Sequence, residues 1–146
     1  MDNIILRKII NIIGIMFMAI NLLANDIRIE EGYIKTLYSE IYYKKLFTEK
    51  NKNDIPLLAL HGGPGLTHDS LDTLAELALE FPIIFYDQTG SGKSNNYDKT
   101  KVSWDVNFFL NDLENVISYF NLKNIYLLGF SWGGTLALEY ALSPDN

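Results

Sequence analysis

"NIYLLGFSWGGTLALEYAL" (residues 124–142) sets a continuous apolar run directly against a serine between glycines, followed by a second apolar stretch. Residues 124–130 read as a strand buried on both faces, the pattern of a parallel sheet, which shows no polar alternation. Residues 133–142 read as a helix with little polar surface. Between them, Gly129-Phe130-Ser131-Trp132-Gly133 fills the pattern Gly-x-Ser-x-Gly. A strand-to-helix turn this tight needs both glycines, so that neighbouring backbone can pass, and it holds the serine hydroxyl out from the sheet edge as a nucleophile. The N-terminus of the following helix favours negative charge developing there. As a bare pentapeptide the motif would be a plain glycine-rich turn; its place between strand and helix makes Ser131 the candidate nucleophile.

Upstream, the chain alternates in the same way. "GYIKTLY" (32–38) and "EIYYKKLF" (40–47) are aromatic and β-branched, and predict early strands joined near Ser39. "IPLLAL" (55–60) and "PIIFY" (82–86) are further buried strands. Between them Leu71, Leu74, Leu77 and Ala78 predict a helix over 69–80. Residues 103–120 carry Val106, Phe109, Leu110, Leu113, Val116, Ile117 and Phe120 on one helical face, with Ser103 as the expected N-cap. Strand–helix alternation with buried strands implies an α/β parallel sheet, in which functional residues collect at the carboxyl ends of the strands. Three glycine-rich loops fall there: "HGGPG" (61–65), "DQTGSGKS" (87–94) and "GFSWGG" (129–134).

Acyl transfer needs two preorganised N–H donors for the oxyanion. The residue after the nucleophile, Trp132, offers one, and the loop after an earlier strand offers the other. Pro64 has no N–H, so Gly63 is the first choice and Gly62 the second.

The loop 87–94 ends Gly-Lys-Ser, as a phosphate-binding loop does. That motif requires glycine at 87, where this chain has Asp87, and a helix directly after it, where "NNYDKTK" follows. Nucleotide binding through 87–94 is therefore the least favoured alternative, and Lys93 reads as a solvated surface charge.

A formal net charge of −6 argues against a nucleic-acid partner. The absence of cysteine removes thiol catalysis and cysteine–zinc sites. No metal-ligand cluster is visible, and no cofactor is called for by acyl-transfer chemistry.

"HGGPG", "YDQTGSGKS" and "LLGFSWGGTLALEYAL", with "EGYI" (31–34), together resemble the proline iminopeptidases of the α/β-hydrolase superfamily, in the branch typified by the tricorn-interacting aminopeptidase. The likeness runs from about residue 30 to the end. It implies an α/β-hydrolase fold, represented by the N-terminal half of its mostly parallel sheet up to the nucleophile elbow and its helix. It implies Ser131 as nucleophile, Gly63 and Trp132 as oxyanion donors, and release of N-terminal proline or another small residue from peptides with a free N-terminus. Loop 87–94 then resembles the family's Asp-Gln-x-Gly-x-Gly-x-Ser turn, with Thr89 where many relatives carry arginine or a large apolar residue. Such a hydrolase also needs an acid and a histidine after the serine. Here only Glu139 and Asp145 follow as acids, and no histidine follows at all. His61 and His68, the only histidines, lie before the serine, and His68 reads as a helix-start hydrogen-bonding residue. Cap domain and C-terminal strands are absent from this stretch, so residues 25–146 read as a partial α/β-hydrolase domain. It is expected to be inactive alone, with strand 124–130 as an unprotected edge. A non-catalytic interaction module completed by a second chain, such as a complementing C-terminal fragment, is the main alternative.

Residues 1–24 place Arg7 and Lys8 before an apolar run from Ile9 to Ala24. A basic start, a short apolar stretch and a small residue at its end read as a secretory signal peptide, or as an uncleaved membrane anchor. A packed N-terminal helix is the third reading. Either of the first two expects an exported protein.

Overall fold

The computed structural model describes residues 9–14, 16 and 26–143. Residues 9–14 and Met16 are helical and exposed; the other residues of the expected signal or anchor lie outside the described residues. Among those described, no helix is long and apolar enough to cross a membrane.

Five strands form one sheet: β1 (Arg28–Lys35), β2 (Glu40–Phe47), β3 (Leu57–Leu60), β4 (Ile83–Tyr86) and β5 (Tyr126–Gly129). Their spatial order is β1-β2-β4-β3-β5. The first two pairings are antiparallel, while β3 runs parallel to both β4 and β5. The aromatic and β-branched pattern predicts the first strand at 32–38. It begins earlier because Arg28 to Glu31 pair with β2 while facing solvent, and an exposed polar edge carries no apolar signal.

Two helices and one tighter helical segment cover the sheet. On one face lie α1 (Val106–Tyr119) and α2 (Trp132–Leu142), which pack Phe109, Leu113, Val116 and Leu136 on Leu58, Leu60, Ile84 and Tyr86. On the other face Leu71 and Ala78 pack on Leu57, Ala59, Ile83 and Phe85. Alternate residues of β3 and β4 thus enter opposite cores, and every one is buried. That is why these strands read as unbroken apolar runs.

The segment His68–Leu79 forms a 3₁₀ helix rather than the α-helix its spacing suggested. Leu71, Leu74 and Leu77 recur every third residue, which suits three residues per turn. The cap of α1 also differs from expectation. Asp105, not Ser103, is the N-cap, and its carboxylate accepts from the Phe108 amide at 2.9 Å. Ser103 sits outside the helix and donates its hydroxyl to Asp105.

Candidate active site

Because β3, β4 and β5 run parallel, their following loops emerge at one end of the sheet. The elbow is built by close approach. A Cβ on Gly129 would overlap the Gly133 carbonyl, and one on Gly133 would overlap the Leu60 carbonyl at the end of β3. Only glycine lets α2 turn back this tightly over the strands. Ser131, at the apex, is exposed and holds φ 54° and ψ −117°. Non-glycine residues seldom adopt this left-handed backbone, which costs about 1–3 kcal/mol and persists only when its surroundings impose it. Here the Phe130 amide donates to Leu60 O at 3.0 Å, and Gly133 and Gly134 donate to Phe130 O and Ser131 O, both at 2.9 Å.

The loop after β3 lies against this turn. A Cβ on Gly62 would sit 3.2 Å from the Ser131 Cβ and 3.0 Å from Phe130 O. Two of the segments singled out in the sequence are thereby brought together. Trp132 opens α2, where amides have no intrahelical acceptor. Among the described residues, neither its amide nor that of Gly63 meets a protein acceptor. An exposed hydroxyl beside unpaired backbone donors suits attack on a carbonyl and stabilisation of the resulting oxyanion.

Neither histidine is free to act as a base. His61 is fully buried, with Nδ1 2.9 Å from Gly62 O and Nε2 accepting from the Gln88 amide at 3.0 Å. Burial lowers its pKa, against the raising influence of the Gly62 carbonyl and Asp87. His68 is likewise buried, its Nδ1 2.8 Å from Asp87 Oδ1 and its ring 5.1 Å from that of Tyr42.

Loop 87–94 is closed on itself. Asp87 Oδ1 accepts the His68 amide at 2.8 Å, and Oδ2 accepts the Lys93 amide at 2.8 Å. Burial alone would raise the Asp87 pKa, but these bonds and the His68 ring outweigh it and lower the value. The amides of Gly90, Ser91 and Ser94 donate to Ser94 O, Gln88 O and Ser91 O. A phosphate cradle needs such amides turned outward together. Lys93 is not simply solvated: its Nζ donates to Tyr42 Oη at 3.0 Å and lies 4.1 Å from that ring's centroid.

Two polar residues that no catalytic motif singles out are central here. Gln88 is fully buried and bonds both His61 and Trp132. Asp112 is buried on α1 and accepts Thr89 N at 2.7 Å and Thr89 Oγ1 at 3.0 Å. Burial raises the Asp112 carboxyl to about 6 despite those bonds. The Tyr86 hydroxyl is the one buried side-chain polar atom without a partner among the described residues.

Residues 55–146 match the family model described as the alpha/beta hydrolase fold. The chain belongs to the α/β-hydrolase fold family. It is 37% identical over 116 residues to a proline iminopeptidase of Heyndrickxia coagulans, covering 80% of this chain and 39% of the relative. It is 39% identical over 117 residues to one of Thermoplasma volcanium, covering 79% and 38%. The solved proline iminopeptidase of Mycobacterium smegmatis superposes with a TM-score of 0.68 at 29% identity, covering 77% of this chain and 39% of that structure. This α/β-hydrolase chain thus spans between 30% and 39% of the length of the curated relatives it matches. The expected fold and the resemblance to proline iminopeptidases both hold.

Proposed function

We propose that this chain carries the nucleophile and oxyanion machinery of a serine aminopeptidase of the proline iminopeptidase type. Ser131 would attack the carbonyl of an N-terminal proline, or another small residue, in a peptide with a free N-terminus. The amides of Gly63 and Trp132 would receive the oxyanion, and the peptide remainder would leave as an amine. The observation that carries this reading is the left-handed backbone of an exposed Ser131, whose Cβ a Cβ on Gly62 would meet at 3.2 Å, with the amides of Gly63 and Trp132 meeting no protein acceptor among the described residues. The likeness to proline iminopeptidases supplies the substrate class. This chemistry requires no cofactor.

The triad acid and histidine would come from polypeptide beyond these residues, either in the same chain or in a complementing one. Tyr126, Phe130, Leu138 and Leu142 are exposed on or beside β5, which pairs with β3 alone among the described residues. Those apolar groups favour further sheet structure on this edge. The basic start and apolar run of residues 1–24 favour export, to be tested by the intact mass of the protein from its own cells.

Hydrolysis of L-proline p-nitroanilide by the protein purified from its own cells, with any polypeptide that accompanies it, tests the catalytic reading. Ser131→Ala is expected to lower kcat by about 10⁴-fold or more. A variant as fast as the parent would end it. Parent and variant that are both inert while the protein folds would favour the non-catalytic module.

A further inference from the structure

The two oxyanion donors come from segments about 70 residues apart in the chain, yet such donors must hold their geometry to within about 0.5 Å. We propose that Gln88, in the loop after β4, is the positioning residue that aims both. The inference rests on the serine-hydrolase reading and adds to it a group that touches no substrate.

Towards the elbow, Gln88 Oε1 accepts the indole N–H of Trp132 at 2.9 Å, so the residue bearing one donor is tethered by its own side chain. Trp132 is gripped on another side by Phe109, whose ring lies edge-on at 5.5 Å between centroids. Towards the other loop, Gln88 Nε2 donates to His61 O at 3.0 Å.

The main chain of Gln88 acts on the same loop. Its amide donates to His61 Nε2 at 3.0 Å, which requires that nitrogen to be unprotonated and places the ring hydrogen on Nδ1. Nδ1 then donates to Gly62 O at 2.9 Å. In a planar trans peptide the carbonyl and the next N–H point in opposite directions. Fixing Gly62 O towards His61 therefore turns the Gly63 N–H away from that ring. One residue thus sets the tautomer, the tautomer sets a peptide plane, and the plane sets a donor.

The burial of Gln88 explains why its amide group matters. Fully enclosed side-chain amides must be hydrogen-bonded, and a shape-matched apolar replacement leaves both partner groups unsatisfied. A group whose only task was filling space would be replaceable by methionine.

The test compares Gln88→Met, Gln88→Glu, Trp132→Phe and the double variant Gln88→Met/Trp132→Phe in the complete protein. Steady-state rates are measured on L-proline p-nitroanilide, with Ser131→Ala as the reference for the hydrolase reading. Gln88→Met is expected to lower kcat about 10- to 100-fold with KM within about twofold, since the oxyanion exists only in the transition state. Gln88→Glu keeps the acceptor for Trp132 but sets a buried carboxylate oxygen against His61 O, so its kcat is expected to fall at least as far as that of the methionine variant. The double variant is expected to be less impaired than the product of the two single losses, the mark of groups acting through one contact. In ¹H–¹⁵N spectra the Trp132 indole resonance is assigned by its loss in Trp132→Phe, and in Gln88→Met that signal is expected to move upfield and exchange faster. A methionine variant with unchanged kcat, or an unmoved Trp132 indole signal, overturns the proposal. Loss of the folded state in Gln88→Met leaves the glutamate variant and the Trp132→Phe rate to decide in the same way. A parent no faster than Ser131→Ala withdraws the hydrolase reading instead, and the indole signal alone then decides whether Gln88 holds Trp132.

Discussion

Loops 87–94 and 129–134 leave the same end of the sheet, are both rich in glycine, and use their backbone in opposite ways. The first turns its amides inward, onto Asp87, its own carbonyls and the neighbouring Tyr42, His61 and Asp112, and buries its acid, its glutamine and Ser94. The second holds a serine in a left-handed conformation and leaves the Trp132 amide without a protein acceptor among the described residues. A segment that bonds seven of its eight amides within the chain is a brace. A segment that leaves donors unpaired beside an exposed hydroxyl has bonding capacity for something outside the chain. Glycine content alone does not distinguish the two; hydrogen-bond accounting does.

Substitutions that lower stability in one loop and rate in the other would sharpen this contrast. Gly133→Ala is the most severe, because the added methyl meets the Leu60 carbonyl, which belongs to the central sheet and cannot give way. A loss beyond about 3 kcal/mol, or no soluble protein, is expected in urea denaturation. Asp87→Ala strands the His68 and Lys93 amides and the His68 ring, and is expected to cost about 2–3 kcal/mol. Retained stability in that variant would break the view of loop 87–94 as a brace.

The two buried carboxyls separate by pH. Asp87 has a lowered pKa, so its contribution is complete above its ordinary value of 3.8 and drains away as acid passes through the lower folded value. Asp112 has the opposite sign. Between its ordinary 3.8 and its folded value of about 6, the folded state holds the proton more tightly, so stability falls as pH rises through that window. Asp112→Asn, whose amide can donate to Thr89 Oγ1 as the protonated acid would, is expected to flatten this slope. It should add about 1–2 kcal/mol at pH 7. An unchanged slope would show that Asp112 does not titrate there.

Ser131→Gly relieves the left-handed strain and is expected to abolish proline p-nitroanilide hydrolysis while raising stability by about 1 kcal/mol. Equal or lower stability would mean the elbow is not strained. Smallest is Tyr86→Phe, which deletes the unpartnered buried hydroxyl and should be neutral or stabilising by up to about 1 kcal/mol.

Strands β3 and β4 were the most legible part of the sequence, because burial on both faces strips them of polar residues. Strand β5, expected to be buried on both faces, is instead exposed at Tyr126 and half-buried from Leu127 to Gly129, with β3 as its one strand partner among the described residues. Ser131 and its two glycines were legible for a related reason: the close approach at Gly129 and Gly133 admits no other residue. Gln88 was not, because its partners lie 27 and 44 positions away and nothing local marks them. Asp112 left a trace. It stands at i+3 from Phe109 and i+4 before Val116, within the apolar stripe of α1, where a carboxylate has to find a buried partner. The 3₁₀ form of His68–Leu79 was ambiguous in the spacing itself, since Leu71, Leu74 and Leu77 satisfy a period of three nearly as well as one of 3.6.

The strand order β1-β2-β4-β3-β5 also carries a consequence for time. The first hairpin pairs internally as soon as both its strands exist, but its only route into the sheet is β4, about 35 residues later in the chain. On a ribosome adding about 5–20 residues per second, Tyr42, Tyr43 and Leu46 wait several seconds, uncovered, for a partner. Strand β3, made in that interval, lies idle as well, since both its neighbours are synthesised after it. Strands β1 to β4 therefore come together when β4 emerges, with β5 added about 40 residues later, and a pause in translation between residues 60 and 83 is where this chain is most exposed to chaperones and to misassembly.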